Sequence, residues 1–124
     1  MNGLSIQFED NLTQFVPGQK IRGRVGWRLD QAPASLDVRL FWYTEGKGTQ
    51  DISIVTTTTI EHPQIQGSSG FEFQLPQSPY SFSGKLISLI WAIELIARPS
   101  NESTRVPFTM SPTGEEISLM TATP

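Results

Sequence analysis

The chain has 124 residues, 37% of them hydrophobic and 17% charged, with nine Lys and Arg against twelve Asp and Glu, a formal net charge of −3 and no Cys. That length fits one domain with a core large enough to stand without disulfide or metal staples. The acid excess argues against a general nucleic-acid binder, whose phosphate contacts need a basic surplus, and the missing Cys excludes disulfides, thiolate nucleophiles and Cys-ligated zinc.

In chain order, residues 1–10 carry neither a basic stretch nor a long apolar run, so no secretory signal is expected and a cytoplasmic location is. Leu4, Ile6 and Phe8 alternate as a first short strand. Residues 19–29 put Ile21, Gly23, Val25 and Trp27 on one face and Lys20, Arg22, Arg24 and Arg28 on the other. Residues 36–43 place Leu36, Val38, Leu40 and Trp42 opposite Asp37, Arg39, Phe41 and Tyr43. Residues 50–61 are β-branched, with Ile52, Ile54 and Ile60 sharing a parity with Thr56 and Thr58. Residues 70–75 align Phe71, Phe73 and Leu75; residues 86–97 align Ile87, Leu89, Trp91, Ile93 and Leu95; residues 105–110 align Val106, Phe108 and Met110. The run 86–97 carries Ser88 and Glu94 and falls short of the ~20 residues a membrane span needs, so it reads as a buried strand and the chain as not membrane-spanning.

Turn chemistry separates these runs at Pro17-Gly18, Gln31-Ala32-Pro33, Gly46-Lys47-Gly48, Pro63 with 67–70, 76–79 and Pro99-Ser100-Asn101. No window shows a capped helical stripe. The expectation is an all-β antiparallel sandwich of about seven strands, one domain over 1–111 with a polar tail over 112–124.

Three collinear blocks carry a family resemblance. The first, Phe15-Val16-Pro17-Gly18-Gln19-Lys20-Ile21-Arg22-Gly23-Arg24-Val25, resembles the Pro-Gly hairpin near the start of arrestin-fold domains. The second, Phe71-Glu72-Phe73-Gln74-Leu75-Pro76 followed by Pro79-Tyr80-Ser81-Phe82-Ser83-Gly84, is similar to a passage of α-arrestins and of sporulation-control-protein-like N-terminal domains. The third is the strand through Trp91 that follows. The resemblance implies an arrestin-type, immunoglobulin-like sandwich and an adaptor or scaffold role with a protein partner, such as the cytoplasmic tail of a membrane protein. Three departures limit it: one domain stands where arrestins have two, the first strand lacks the phosphate-sensing lysine pair, and no PPxY-type tail is present.

For chemistry, His62 is the lone His, placed in a turn, and no Gly-x-Ser-x-Gly elbow accompanies the serines, so no catalytic residue is expected. Glu9, Asp10 and Asn11, or Glu115 with Glu116, lack the ligand alternation of an oxygen-ligand metal loop, so neither metal nor cofactor is expected. Trp27, Trp42 and Trp91 belong to inward sets and read as core.

Two surfaces remain as candidate partner sites. Lys20, Arg22, Arg24 and Arg28, with Arg39 from the next strand, form a basic stripe that suits an acidic or phosphorylated segment or else is an ordinary solvated face. Phe41, Tyr43, Leu86 and Ile90, with Ile96, form an outer apolar patch that needs a cover from a partner, a second copy or the chain itself. The run from Ile52 to Ile60 is uncharged and suits strand addition if it lies at an edge. The reading is a non-catalytic interaction module; the alternatives are a self-assembling structural subunit, as a homodimer or larger, and a carbohydrate- or small-ligand-binding sandwich.

Overall fold

The computed structural model describes residues 3–46, 48, 50–84, 86–113, 115, 117 and 118. Among them lie ten strands: β1 (Leu4–Phe8), β2 (Gln14–Phe15), β3 (Lys20–Arg28), β4 (Ser35–Gly46), β5 (Ile52–Glu61), β6 (Gln66–Gln74), β7 (Phe82–Ser83), β8 (Ile87–Arg98), β9 (Ser103–Met110) and β10 (Ile117–Ser118). The seven strands of five or more residues are the seven expected from alternation. The other three are two-residue pairings, and two of the contacts they make, β2 on β9 and β10 on β7, are parallel. The outermost tail residues, 119–124, and Glu116 lie outside the described residues.

The strands form two layers. One sheet runs β1-β3-β6; the other runs β10-β7-β8-β4-β5, with β9 on β8 and β2 on β9. β8 is paired with β4 over its whole length, and its opposite side takes β7 at Ser88 and Leu89 and then β9 from Trp91 to Ile96. Successive side chains point to opposite faces, so the alternation in β3, β4 and β8 sends one set from each into the interlayer core. That core holds Ile21 and Val25 of β3, Leu36, Val38 and Leu40 of β4, and Trp91, Ile93 and Leu95 of β8, all essentially inaccessible.

One end of the core is aromatic. Phe8 makes edge-to-face contacts with Phe15, Phe71 and Phe108 at centroid distances of 6.3, 6.5 and 6.0 Å, and Trp91 tilts against Phe108 at 6.1 Å. Edge-to-face pairs match the positive ring edge to the negative face and are worth about 0.5–1.5 kcal/mol each beyond area burial. The Trp91 indole Nε1–H donates to the Pro79 carbonyl at 2.8 Å, pinning the proline-rich passage against the strand that follows it. Trp27 is buried as well and donates to the Gln64 carbonyl at 2.9 Å, while Trp42 is half-buried against the core.

The Pro17-Gly18 turn has the form its sequence dictates. Gln19 N–H donates to Val16 O at 3.1 Å, and Gly18 takes φ +81°, the left-handed value of the third position of a type II turn. Two expectations about strand limits and faces are corrected. Residues 67–70 are not a turn but the first half of β6, paired with β3 from Arg24 to Trp27. Their small side chains hide the strand pattern yet fit it, since a Cβ on Gly67 would stand 2.7 Å from the Trp27 ring. In β5 the register shifts beside Leu40 and Phe41, leaving Val55 as an extra residue. A bulge of one residue flips every side chain beyond it, so Ile52 and Ile54 share the outer face with Tyr43 and Phe41, whereas Thr56, Thr58 and Ile60 face inward.

Candidate functional site

The basic residues of β3 do share the outer face of the three-stranded sheet, all exposed. One carboxylate on the neighbouring strand offsets part of their charge. Arg22 lies opposite Glu72 of β6 and donates to it at 2.6 Å through Nε, and Lys20 Nζ lies 3.9 Å from the other carboxylate oxygen. The hydrogen bond to Arg22 holds the Glu72 carboxyl below the usual carboxylate range, and the same contact pushes the Arg22 guanidinium further up. Arg24 donates to Ser68 Oγ at 3.2 Å, and Arg28 has no ion pair among the described residues. Gly23 and Gly70 leave a shallow depression of about 590 Å³ on this sheet, walled by Gln7, Arg22, Arg24 and Glu72, which mixes both signs of charge.

Arg39 does not join this stripe. The chain changes sheets between β3 and β4, so Arg39 stands on the outer face of the other layer. There its Nη1 lies 3.9 Å from Glu94, whose nearly buried carboxylate also receives Arg105 Nη2 at 3.3 Å.

The second candidate surface is rearranged in the same way. Phe41 and Tyr43 are stacked at 5.6 Å, and Tyr43 is paired in register with Ile90. Phe41 is only 1% exposed. Arg105 of β9 covers the pair, its guanidinium carbon 5.2 Å from the Phe41 centroid and 4.9 Å from that of Tyr43. The cover thus comes from the chain itself, held by the arginine's second contact, to Glu94. Leu86, 63% exposed, precedes β8 and lies outside this row, and Ile96 is buried.

Exposed apolar surface is found instead on β5, where Ile52, Ile54 and Val55 are 61%, 48% and 41% exposed. β5 ends its sheet, with β4 its only neighbour among the described residues. Thr44 N–H donates to Asp51 O and Asp51 N–H to Thr44 Oγ1, both at 2.9 Å, while at the far end His62 N–H donates to Ala34 O at 3.0 Å. Between these anchors the antiparallel ladder alternates, and with Val55 as the extra residue both ends give the same phase. The backbone groups of Ile52, Ile54, Thr57 and Thr59 therefore point away from β4 toward solvent. Of the usual guards of an edge strand, Lys, Pro, brevity or a bulge, β5 has only the bulge. The outer placement of Ile52 and Ile54 escaped the sequence reading, although the adjacent β-branched Ile54 and Val55 mark where alternation breaks.

His62 is exposed in the turn after β5 with φ +50°, and no group of three potential metal ligands occurs among the described residues. No helix among them is long and apolar enough to cross a membrane.

No protein-family model matches the chain, and no curated protein matches it in sequence. Among solved structures it is similar to the crystal structure of Spo0M, a sporulation control protein from Bacillus subtilis, with a TM-score of 0.56 at 16% identity over 90% of this chain. The chain spans about half (50%) of that protein's length. With the two-layer topology, this likeness makes the fold arrestin-like.

Proposed function

We propose that this chain is a non-catalytic protein-interaction module, an adaptor or scaffold, that takes an extended segment of its partner as an added strand on the open edge of β5. The observation that carries the reading is the edge itself: a ten-residue strand, uncharged from Ile52 to Ile60, with outward backbone groups and exposed Ile52, Ile54 and Val55 beside it. Main-chain hydrogen bonds at such an edge give affinity, and alternate side chains give selectivity. The arrestin-like fold is compatible with an adaptor role. The tail of a membrane-associated partner at the cytoplasmic side is the class of ligand the reading favours. The basic face is the weaker docking surface, because Glu72 already occupies Arg22 and Lys20.

Site-specific photo-crosslinking tests this. A benzoylphenylalanine at Thr57 should trap a discrete partner, and one at Ser5, on the edge strand β1 of the other sheet, should not. Trapping at Ser5 with none at Thr57 would move the docking site off β5 and overturn the proposal.

A further inference from the structure

The ends of β5 differ from its middle. Asp51 immediately precedes the strand, Glu61 closes it, and Glu45 lies on β4 one residue beyond the Thr44 that bonds Asp51. All three are exposed, and none has an ion pair among the described residues, in contrast to Asp37, Glu72 and Glu94. The edge is therefore a neutral track about 30 Å long, with acidic side chains at both ends that no cation among the described residues pairs.

Resting on the docking role proposed above, we infer that the segment received by β5 has an uncharged β-branched or aliphatic centre and carries Lys or Arg at its ends. The same charges disfavour a second copy of this chain. Antiparallel pairing of β5 with itself sets Asp51 of each copy toward Glu61 of the other, and like charges facing across strands destabilise the pair. Side-chain chemistry along the track adds direction to the preference. Ile52 and Ile54, beside Tyr43, offer apolar neighbours at one end, while Thr57 and Thr59 offer hydroxyls at the other. The Val55 bulge interrupts the ladder between the two halves, so the incoming segment pairs in two short stretches.

Two fluorescein-labelled peptides test the inference by anisotropy: Lys-Lys-Thr-Val-Thr-Val-Thr-Lys-Lys, and a twin with Glu in place of each Lys. At about 0.01 M salt, where the Debye length is ~30 Å, the basic-ended peptide should bind roughly tenfold more tightly than its twin, and the difference should shrink at about 1 M. Asp51→Lys with Glu61→Lys should reverse the order. Thr57→Pro, which removes an N–H pointing to solvent and not to β4, should weaken both peptides while leaving the circular dichroism unchanged.

Failure of both peptides to bind would overturn the docking role and this inference with it. Equal binding, or preference for the acidic twin, would leave β5 as a docking edge and overturn the charge preference alone. Binding indifferent to Thr57→Pro in a folded variant would place the peptides elsewhere and overturn both. A concentration-dependent dimer abolished by Thr57→Pro would make a second copy the occupant, which also overturns the inference.

Discussion

Phe8 and Phe71 meet edge-to-face across Gly23, their centroids 6.5 Å apart at an interplanar angle of 75°. Gly23 is paired with both, on β1 at one side and β6 at the other, so the three-stranded sheet closes over a residue with no side chain. A Cβ there would collide with the Gln7 carbonyl oxygen and stand 2.7 Å from Phe71 Cζ. Gly23→Ala should destabilise the fold by about 1–3 kcal/mol through overpacking, measured as a lower urea midpoint. An unchanged midpoint would mean that β1 can lift away at no cost.

Arg105→Ala removes the cover of the Phe41–Tyr43 stack and one of the two cations at Glu94. Cation–π loss at a half-exposed site and a weakened buried carboxylate each cost on the order of 1 kcal/mol. The variant should lose about 1–2 kcal/mol in urea unfolding and bind more of a hydrophobic dye.

Glu72→Gln releases Arg22 and Lys20. The variant should be retained longer on a heparin column than Glu45→Gln, which changes net charge equally but lies on β4 in the other sheet. Co-elution of the two would mean that Glu72 does not mask the basic face.

The pH dependence of the same pair has a defined sign. The folded-state pKa of Glu72 is depressed, chiefly by its hydrogen bond from Arg22. Its contribution to stability is present above the unfolded value of about 4.3 and is lost as pH falls through the folded one. Wild type should therefore lose stability faster than Glu72→Gln between about pH 4 and pH 2, read as the difference in urea midpoint.

Gly18→Ala forces a Cβ onto a backbone at φ +81°. A loss of about 1 kcal/mol is expected, and Gly18→Asn, which tolerates that region better, should recover part of it in the same measurement.

The seven long strands, and the inward sets of all of them but β5, were legible because alternation of apolar and polar residues reports directly which face is buried. Pairing between distant strands was not. Nothing in the alternation of β3 says that Glu72 will stand opposite Arg22, that Arg39 will leave for the other sheet, or that Arg105 will lie over Phe41. The bulge at Val55 defeated the parity rule because one extra residue reverses the faces. The Gly- and Ser-rich start of β6 offered no hydrophobic pattern at all, since its place is secured by backbone pairing with β3 and by room for the Trp27 ring.

The topology also sets an order of events during folding. The four-residue and five-residue gaps that join β8 to β9 and β4 to β5 make local hairpins, and both belong to the same sheet. In the other sheet, Gly23 meets Phe71 only after all of β4 and β5 has intervened in the chain. Local pairings close fastest, and non-local ones bear a larger entropic delay. On a ribosome, then, the β4–β5 hairpin can form while β6, which completes the opposite layer, is still being synthesised, and the uncharged edge of β5 is presented to the cell before β8 and β9 have joined its sheet.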